Sequence, residues 1–304
     1  MGRQVFMAPP TISRAAPRPP PPSSSPSRLT TQHGAPPTSS STPGPRHAVG
    51  DGFDPSGVRL ASTPEARHAA CDDFLRGVTP PPSAAQRRHM EEAMEPFSDA
   101  QLQRMRDSGV RFCPQSQGLP HDLTEAGAQL PPIDSHARYD ARTRTLVYGP
   151  QMTPGRFRHE LAHAWDDVRA DRHPQRLDEL PLAQRTRAVQ RLSSEVDAHH
   201  AMSSSTDARL RDSYEDYAHG RSWNQAEYQA EAFDTPGTEG GYSRRSVEEF
   251  YAEGFSSFHS DAAHAERLQR NAPELYRQLA AESQREGTLP SWVDPSTLAV
   301  RQSQ

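Results

Sequence analysis

The sequence predicts an α+β domain, mostly helical with a small sheet, preceded by a disordered Pro/Ser-rich N-terminal tail. Three observations carry that reading. Helical apolar spacing with capping signals recurs between Ser83 and Phe258. Short alternating segments near 110–113 and 138–148 read as strands. Residues 1–50 hold 12 prolines and five arginines, and the first acid is Asp51. Such a leader has too little apolar surface to offset the entropy of ordering it, so residues 1–60 are expected to be disordered.

Residues 61–84 read as a linker or short helix, with helical character over 63–77 ended by Pro80-Pro81-Pro82. A helix is expected from Ser83 to Met94. Ser98 and Gln101 have capping-box spacing before another helix, which Gly109 stops. Val110–Cys113 alternates as a strand, and a loop runs to about 135. Arg138–Arg144 then leads into Thr145–Tyr148 as a hairpin-like element closed by Gly149-Pro150. The helix that follows, through Val168, is announced by Thr153 as cap and Pro154 in the first turn. Gln184 to Met202 reads as a long helix, and 203–240 as polar and irregular, with short helices near 206–218 and 223–233. The folded domain is placed at 85–290, and 291–304 is a C-terminal tail.

Within the helix after Pro154 stands His159-Glu160-Leu161-Ala162-His163. Residues i and i+4 share a helix face, so both imidazoles can grip one ion, here expected to be a single Zn2+ per chain. Glu160, one position round the cylinder, is placed to act as general base towards a water activated by that ion. Leu161, Ala164, Trp165 and Val168 form the apolar stripe that would bury the helix. A hydrolytic zinc site needs a third protein ligand from elsewhere.

That ligand should lie on a facing helix, and Ser246–Phe258 is the candidate. Val247, Phe250, Tyr251, Phe255 and Phe258 make one apolar face, with Glu249 and Glu253 opposite. Ser246 and Glu249 have capping-box spacing. Periodicity nominates Glu249 and Glu253 without choosing between them, and leaves Glu195 on the 184–202 helix in contention.

Two blocks carry a resemblance. Arg158 through Asp167, and Tyr242 through His264-Ala265-Glu266-Arg267-Leu268 and on to Tyr276, resemble the catalytic domain of the anthrax lethal factor-like zinc metallopeptidases, a zincin-like fold. The likeness spans residues 85–285 and is close only in those two blocks. It implies His159, His163 and Glu249 as zinc ligands, Glu160 as base, and Tyr242, seven residues before Glu249, as the phenol that stabilises the oxyanion. Glu253 and Asp167 would then orient ligands. The 86-residue interval from His163 to Glu249 is longer than the family's usual connection, so 170–235 is expected to be an insertion. Glu195 stays an alternative ligand, as in other His-Glu-x-x-His effector peptidases that cut host kinases.

The resemblance and the acid-free leader together lead to an expected role: a bacterial zinc endopeptidase, secreted by a type III system into the host cytoplasm, that cleaves a host protein such as a signalling kinase. The alternatives are a protease toxin used against competing bacteria and a non-catalytic effector that binds host signalling proteins through its tail and helical surface. All 34 basic residues are arginine, which points to a GC-rich bacterial genome or to evasion of ubiquitin attachment. Arg14–Pro20 has the spacing of a basic polyproline ligand for an SH3-type partner. The net charge of −5, with both signs interspersed, argues against a nucleic-acid partner. No stretch of ~20 apolar residues exists for a membrane span. A monomer is expected, with Cys71 and Cys113 as buried, inert thiols.

Overall fold

The computed structural model describes residues 62–117, 137–170, 181–190, 202–220, 232–234 and 241–295, all within the unit Val49–Gln304. They form an α+β arrangement, mostly helical with a three-stranded sheet. The leader with its Arg14–Pro20 motif, the loop at 118–136, Glu195 and residues 296–304 lie outside the described residues.

Local sequence chemistry sets the first elements. Helix α1 (Pro64–Phe74) starts on Thr63, whose side chain accepts the Ala66 N–H, and it sends Ala70, Cys71 and Phe74 into the main core. The stretch 61–84 is therefore part of the domain's packing. Helix α2 (Ala84–Ala93) and helix α3 (Asp99–Asp107) both begin with complete capping boxes, Ser83 with Gln86 and Ser98 with Gln101. Gly109 then takes a positive φ of 81°, and the chain enters strand β1 (Arg111–Pro114).

Strands β2 (Ala137–Asp140) and β3 (Thr145–Tyr148) pair antiparallel, with Tyr139 opposite Leu146, as the hairpin reading requires. Strand β1 lies parallel on the other side of β3, giving the order β1-β3-β2. Among the described residues the strand that leads into the His-Glu helix is thus central and wholly buried, and β2 is the edge that faces the helix. Cys71 and Cys113 are both buried and in no disulfide, and burial pushes the Cys71 thiol up to about 12.

Helix α4 (Pro154–Arg169) runs through the middle of the domain, with Thr153 capping it as expected. Sequence periodicity gives it one apolar stripe, but every residue from Phe157 to Val168 except Glu160 is buried. Its polar residues can be enclosed because each meets a partner. Arg158 donates to the His259 carbonyl and to Ser260 Oγ, both at 3.2 Å. Asp166 accepts the Ser204 N–H at 3.0 Å. Trp165 Nε1 donates to Glu282 at 2.6 Å, and Arg169 reaches the same carboxylate at 2.9 Å. Asp167 accepts from Tyr139 Oη at 2.8 Å and from Arg144 Nε at 3.0 Å.

Helix α5 (Leu182–Gln190) begins before Gln184, and the rest of the expected long helix, 191–201, is outside the described residues. Helices α6 (Ser203–Thr206) and α7 (Ala208–Ala218) follow. Met202, Leu210, Tyr217 and Phe233, all in the stretch read as an insertion, belong to the same core cluster as α4. Helix α8 (Val247–Phe258) crosses α4, and α9 (Ala262–Asn271) and α10 (Pro273–Glu286) close the fold. Where α8 meets α10, Gly254 allows the approach: a Cβ there would sit 2.3 Å from Leu275 Cδ2. Among the described residues no helix is long and apolar enough to cross a membrane.

Arg144 and Asp167 are 1% and 0% exposed, so each is a buried charge whose counter-charge is the other. Removing Asp167 takes away the carboxylate that Arg144 Nε meets at 3.0 Å. Asp167→Ala is expected to lower stability by ~3–5 kcal/mol, measured by denaturant unfolding. A loss below about 1 kcal/mol would show that Arg144 is not dependent on it.

Candidate metal centre

The site is made where α4 and α8 cross. His159 and His163, one turn apart on α4, point to the same side, their rings 4.7 Å apart and nearly perpendicular. Glu249 enters from the first turn of α8. Its Oε2 lies 3.0 Å from His159 Nε2 and 3.3 Å from His163 Nε2, and the two Nε2 atoms are 3.1 Å apart. Three ligand atoms therefore form a nearly equilateral triangle. An ion with tetrahedral bonds of ~2.0–2.1 Å spaces its ligand atoms by about 3.3 Å, so the triangle matches one face of such a tetrahedron. His159, His163 and Glu249 could hold a metal ion.

Glu249 also departs from its sequence reading. Ser246 Oγ accepts the Glu249 N–H at 3.3 Å, which is one half of a capping box. The other half is missing, because the Glu249 carboxylate turns to the imidazoles rather than back to the Ser246 N–H. The helix start still favours its charge, through the positive end of the helix dipole.

Glu253, placed by periodicity on the face away from the apolar stripe, is fully buried. Its Oε1 faces His159 Nδ1 at 3.3 Å. The two atoms face each other without hydrogen-bond geometry, and the charge of Glu253 bears on the imidazole through space. Asp167 bears instead on Arg144 and on Tyr139 of β2. That contact reaches the site indirectly, because the Tyr139 backbone N–H donates to Glu160 Oε2 at 2.6 Å. The sheet edge thereby fixes the carboxylate expected to act as base.

Tyr242 sits in a 3₁₀ turn, Tyr242–Arg244, with its ring edge-on to His159 and 6.1 Å from it. The Arg245 guanidinium covers the outer face of that ring at 3.8 Å. Glu195, the alternative ligand, is outside the described residues. So five of the residues named from the sequence (His159, Glu160, His163, Tyr242 and Glu249) cluster, with Glu253 directly behind His159. Sequence reasoning missed the Tyr139 N–H, Arg144 and Asp234. The last accepts the N–H groups on either side of Tyr242. Nothing in local pattern marks any of the three.

Electrostatics follow from burial. With no cation present, burial disfavours a charged His159, but Glu253 and then Glu249 outweigh it and push His159 up to about 10. Burial likewise opposes ionisation of Glu249, and His163 and His159 override it, holding its carboxyl well below the usual range. Burial raises Glu160, against the pull of His159 and His163. No family model matches the chain, and no curated protein or solved structure does either.

A cation has to displace the proton that His159 retains below about pH 10. Affinity for a divalent cation is therefore expected to rise about tenfold per pH unit below that point, read by competition with a chromophoric chelator. Stability of the cation-free chain runs the opposite way. A raised folded-state pKa stabilises the cation-free chain fully below the ordinary histidine value of ~6.5, and that contribution is lost as pH rises through about 10. The gain in Tm on adding the cation should grow across that window. Affinity independent of pH would contradict a proton held at His159.

Proposed function

We propose that this chain is a zinc-dependent endopeptidase of the lethal-factor-like, zincin type. The observation that carries the reading is the triangle of His159 Nε2, His163 Nε2 and Glu249 Oε2, with all edges between 3.0 and 3.3 Å. Two imidazoles and one carboxylate are the donor set of catalytic zinc sites that keep a position open for water or substrate. When bound, the ion would supply Lewis acidity, polarising a peptide carbonyl and making a water nucleophilic at neutral pH.

The protein's own groups do the rest. Glu160 takes the proton from the attacking water on its carboxylate and returns it to the leaving amine. Its partial burial, which raises its pKa from the ordinary carboxylate value, suits it to both transfers. The Tyr139 N–H keeps that carboxylate aimed while leaving its other oxygen to work. Tyr242 donates its phenolic hydrogen to the oxyanion that forms at the scissile carbon. Glu253, behind the imidazole, would favour the orientation of the His159 ring that presents Nε2 to the ion. An extended substrate would lie along the β2 edge, next to Glu160.

The wider role rests on the sequence: an acid-free, proline-rich leader, a chain without lysine, and the resemblance. It is that of a secreted bacterial effector acting in the host cytoplasm on a host protein, with signalling kinases as the substrate class to test first. Comparing new N-termini in host-cell lysate treated with the native chain or with Glu160→Gln tests both activity and substrate. The variant is expected to bind one zinc per chain and to produce no cleavage. Loss of zinc in that variant, or equal cleavage by both, would remove Glu160 as base. Tyr242→Phe is expected to lower kcat by ~100–1,000-fold with KM little changed. An unchanged kcat would take Tyr242 out of the reaction.

A further inference from the structure

Tyr242 lies in a short 3₁₀ turn, which by itself gives a ring little fixed position. What holds the turn comes from α7 and from residues 232–234, both described parts of the stretch that the sequence marks as an insertion. Asp234 Oδ2 accepts the Gly241 N–H at 2.8 Å, and Oδ1 accepts the Ser243 N–H at 3.1 Å. One carboxylate thus spans the two residues flanking Tyr242. Gly241 stands at φ 108°, a conformation that side-chain-bearing residues rarely adopt, which brings both N–H groups towards the same acceptor.

Asp234 is itself anchored. Its neighbour Phe233 is fully buried against Tyr217 and Phe250, with ring centroids 4.9 and 5.8 Å away. Ser257 of α8 donates to the Phe233 carbonyl. Helix α7 adds three contacts to the same turn, each at 3.0 Å: Tyr214 Oη donates to the Arg244 carbonyl, Tyr217 Oη meets Ser243 Oγ, and Arg244 donates to the Ala218 carbonyl. The turn is thus referenced to α8, the helix that carries Glu249.

We propose that Asp234 is the positioning residue for Tyr242, setting where the phenol stands relative to the metal ligands; this deepens the peptidase reading and rests on it. Two convergent N–H donors call for two acceptors, which a carboxylate has and an amide lacks. The effect should therefore be graded from Asp through Asn to Ala.

The test combines kinetics with hydrogen exchange. Asp234→Ala is expected to keep one zinc per chain and a KM near the native value. Its kcat should fall by ~10–100-fold, short of the loss on removing the phenol, with Asp234→Asn between. In a Tyr242→Phe background the same substitution should cost nothing further. Equal losses in both backgrounds would mean a general structural role and would overturn the proposal. Independently of activity, the Gly241 and Ser243 amides of the zinc-loaded native chain should exchange slowly, and fast in Asp234→Ala. Fast exchange in the native chain would overturn it as well. Protected amides in a chain that cleaves nothing would uphold the clamp on Tyr242 while ending the peptidase reading.

Discussion

Across the contact of α4 with α8, two largely buried imidazoles meet the carboxylates of Glu249, partly exposed, and Glu253, fully buried, and the remainder of the domain is arranged to sustain that meeting. Burying an ionised group costs several kcal/mol unless it is compensated. Glu249, Glu253 and Glu160 bring three carboxylates to the site, and two neutral imidazoles cannot balance them. Either protons or a cation must do so. In the absence of a cation the charge is met by protonation of His159, pushed up to about 10. A dication would do the same work with the imidazoles neutral, and would satisfy at one point three ligand atoms that otherwise face one another at 3.0–3.3 Å. A site of this kind could hold a metal ion.

Such a triangle needs helix α4 fixed in translation and rotation, and its polar residues provide that. Arg158 ties it to the end of α8, Asp166 to α6, Trp165 and Arg169 to Glu282 of α10, and Asp167 to the sheet. The bonds leave on different sides of the helix, so no single rotation relieves them all. A helix held only by an apolar stripe could slide by fractions of a turn, and misplacement of ~1 Å is enough to cost a catalytic site much of its rate.

The two sides of the site are built by different parts of the chain and meet on α8. The sheet supplies the Glu160 side, through the Tyr139 N–H on its carboxylate. The stretch from α7 to Asp234 supplies the phenol side. Because Ser257 and Phe250 of α8 hold Phe233 in place, the phenol side is referenced to the helix that carries Glu249. Residues 202–220 and 232–234 are therefore no appendage. Met202, Leu210, Tyr217 and Phe233 lie in the common core.

Much of this could be read from the chain alone, because the chemistry involved is local. Capping by Thr63, Ser83, Ser98 and Thr153, the stop at Gly109 and the His159–His163 pair each depend on residues within about four positions of one another, and the β2–β3 hairpin on residues no more than eleven apart. Helical periodicity also placed Glu249 and Glu253 on one face of α8. It could not tell that this face packs against α4 rather than meeting water, since periodicity describes one helix and not its neighbours. The resemblance ranked Glu249 as ligand and Glu253 as its support, and tertiary packing gave each its contact: Glu249 on both Nε2 atoms, Glu253 on His159 Nδ1. The Tyr139 N–H, the Arg144–Asp167 pair and the Asp234 clamp left no trace in the sequence pattern. Each is a contact between groups brought together only when separate elements dock, and a backbone N–H or a single carboxylate looks the same in the chain whether or not a partner awaits it.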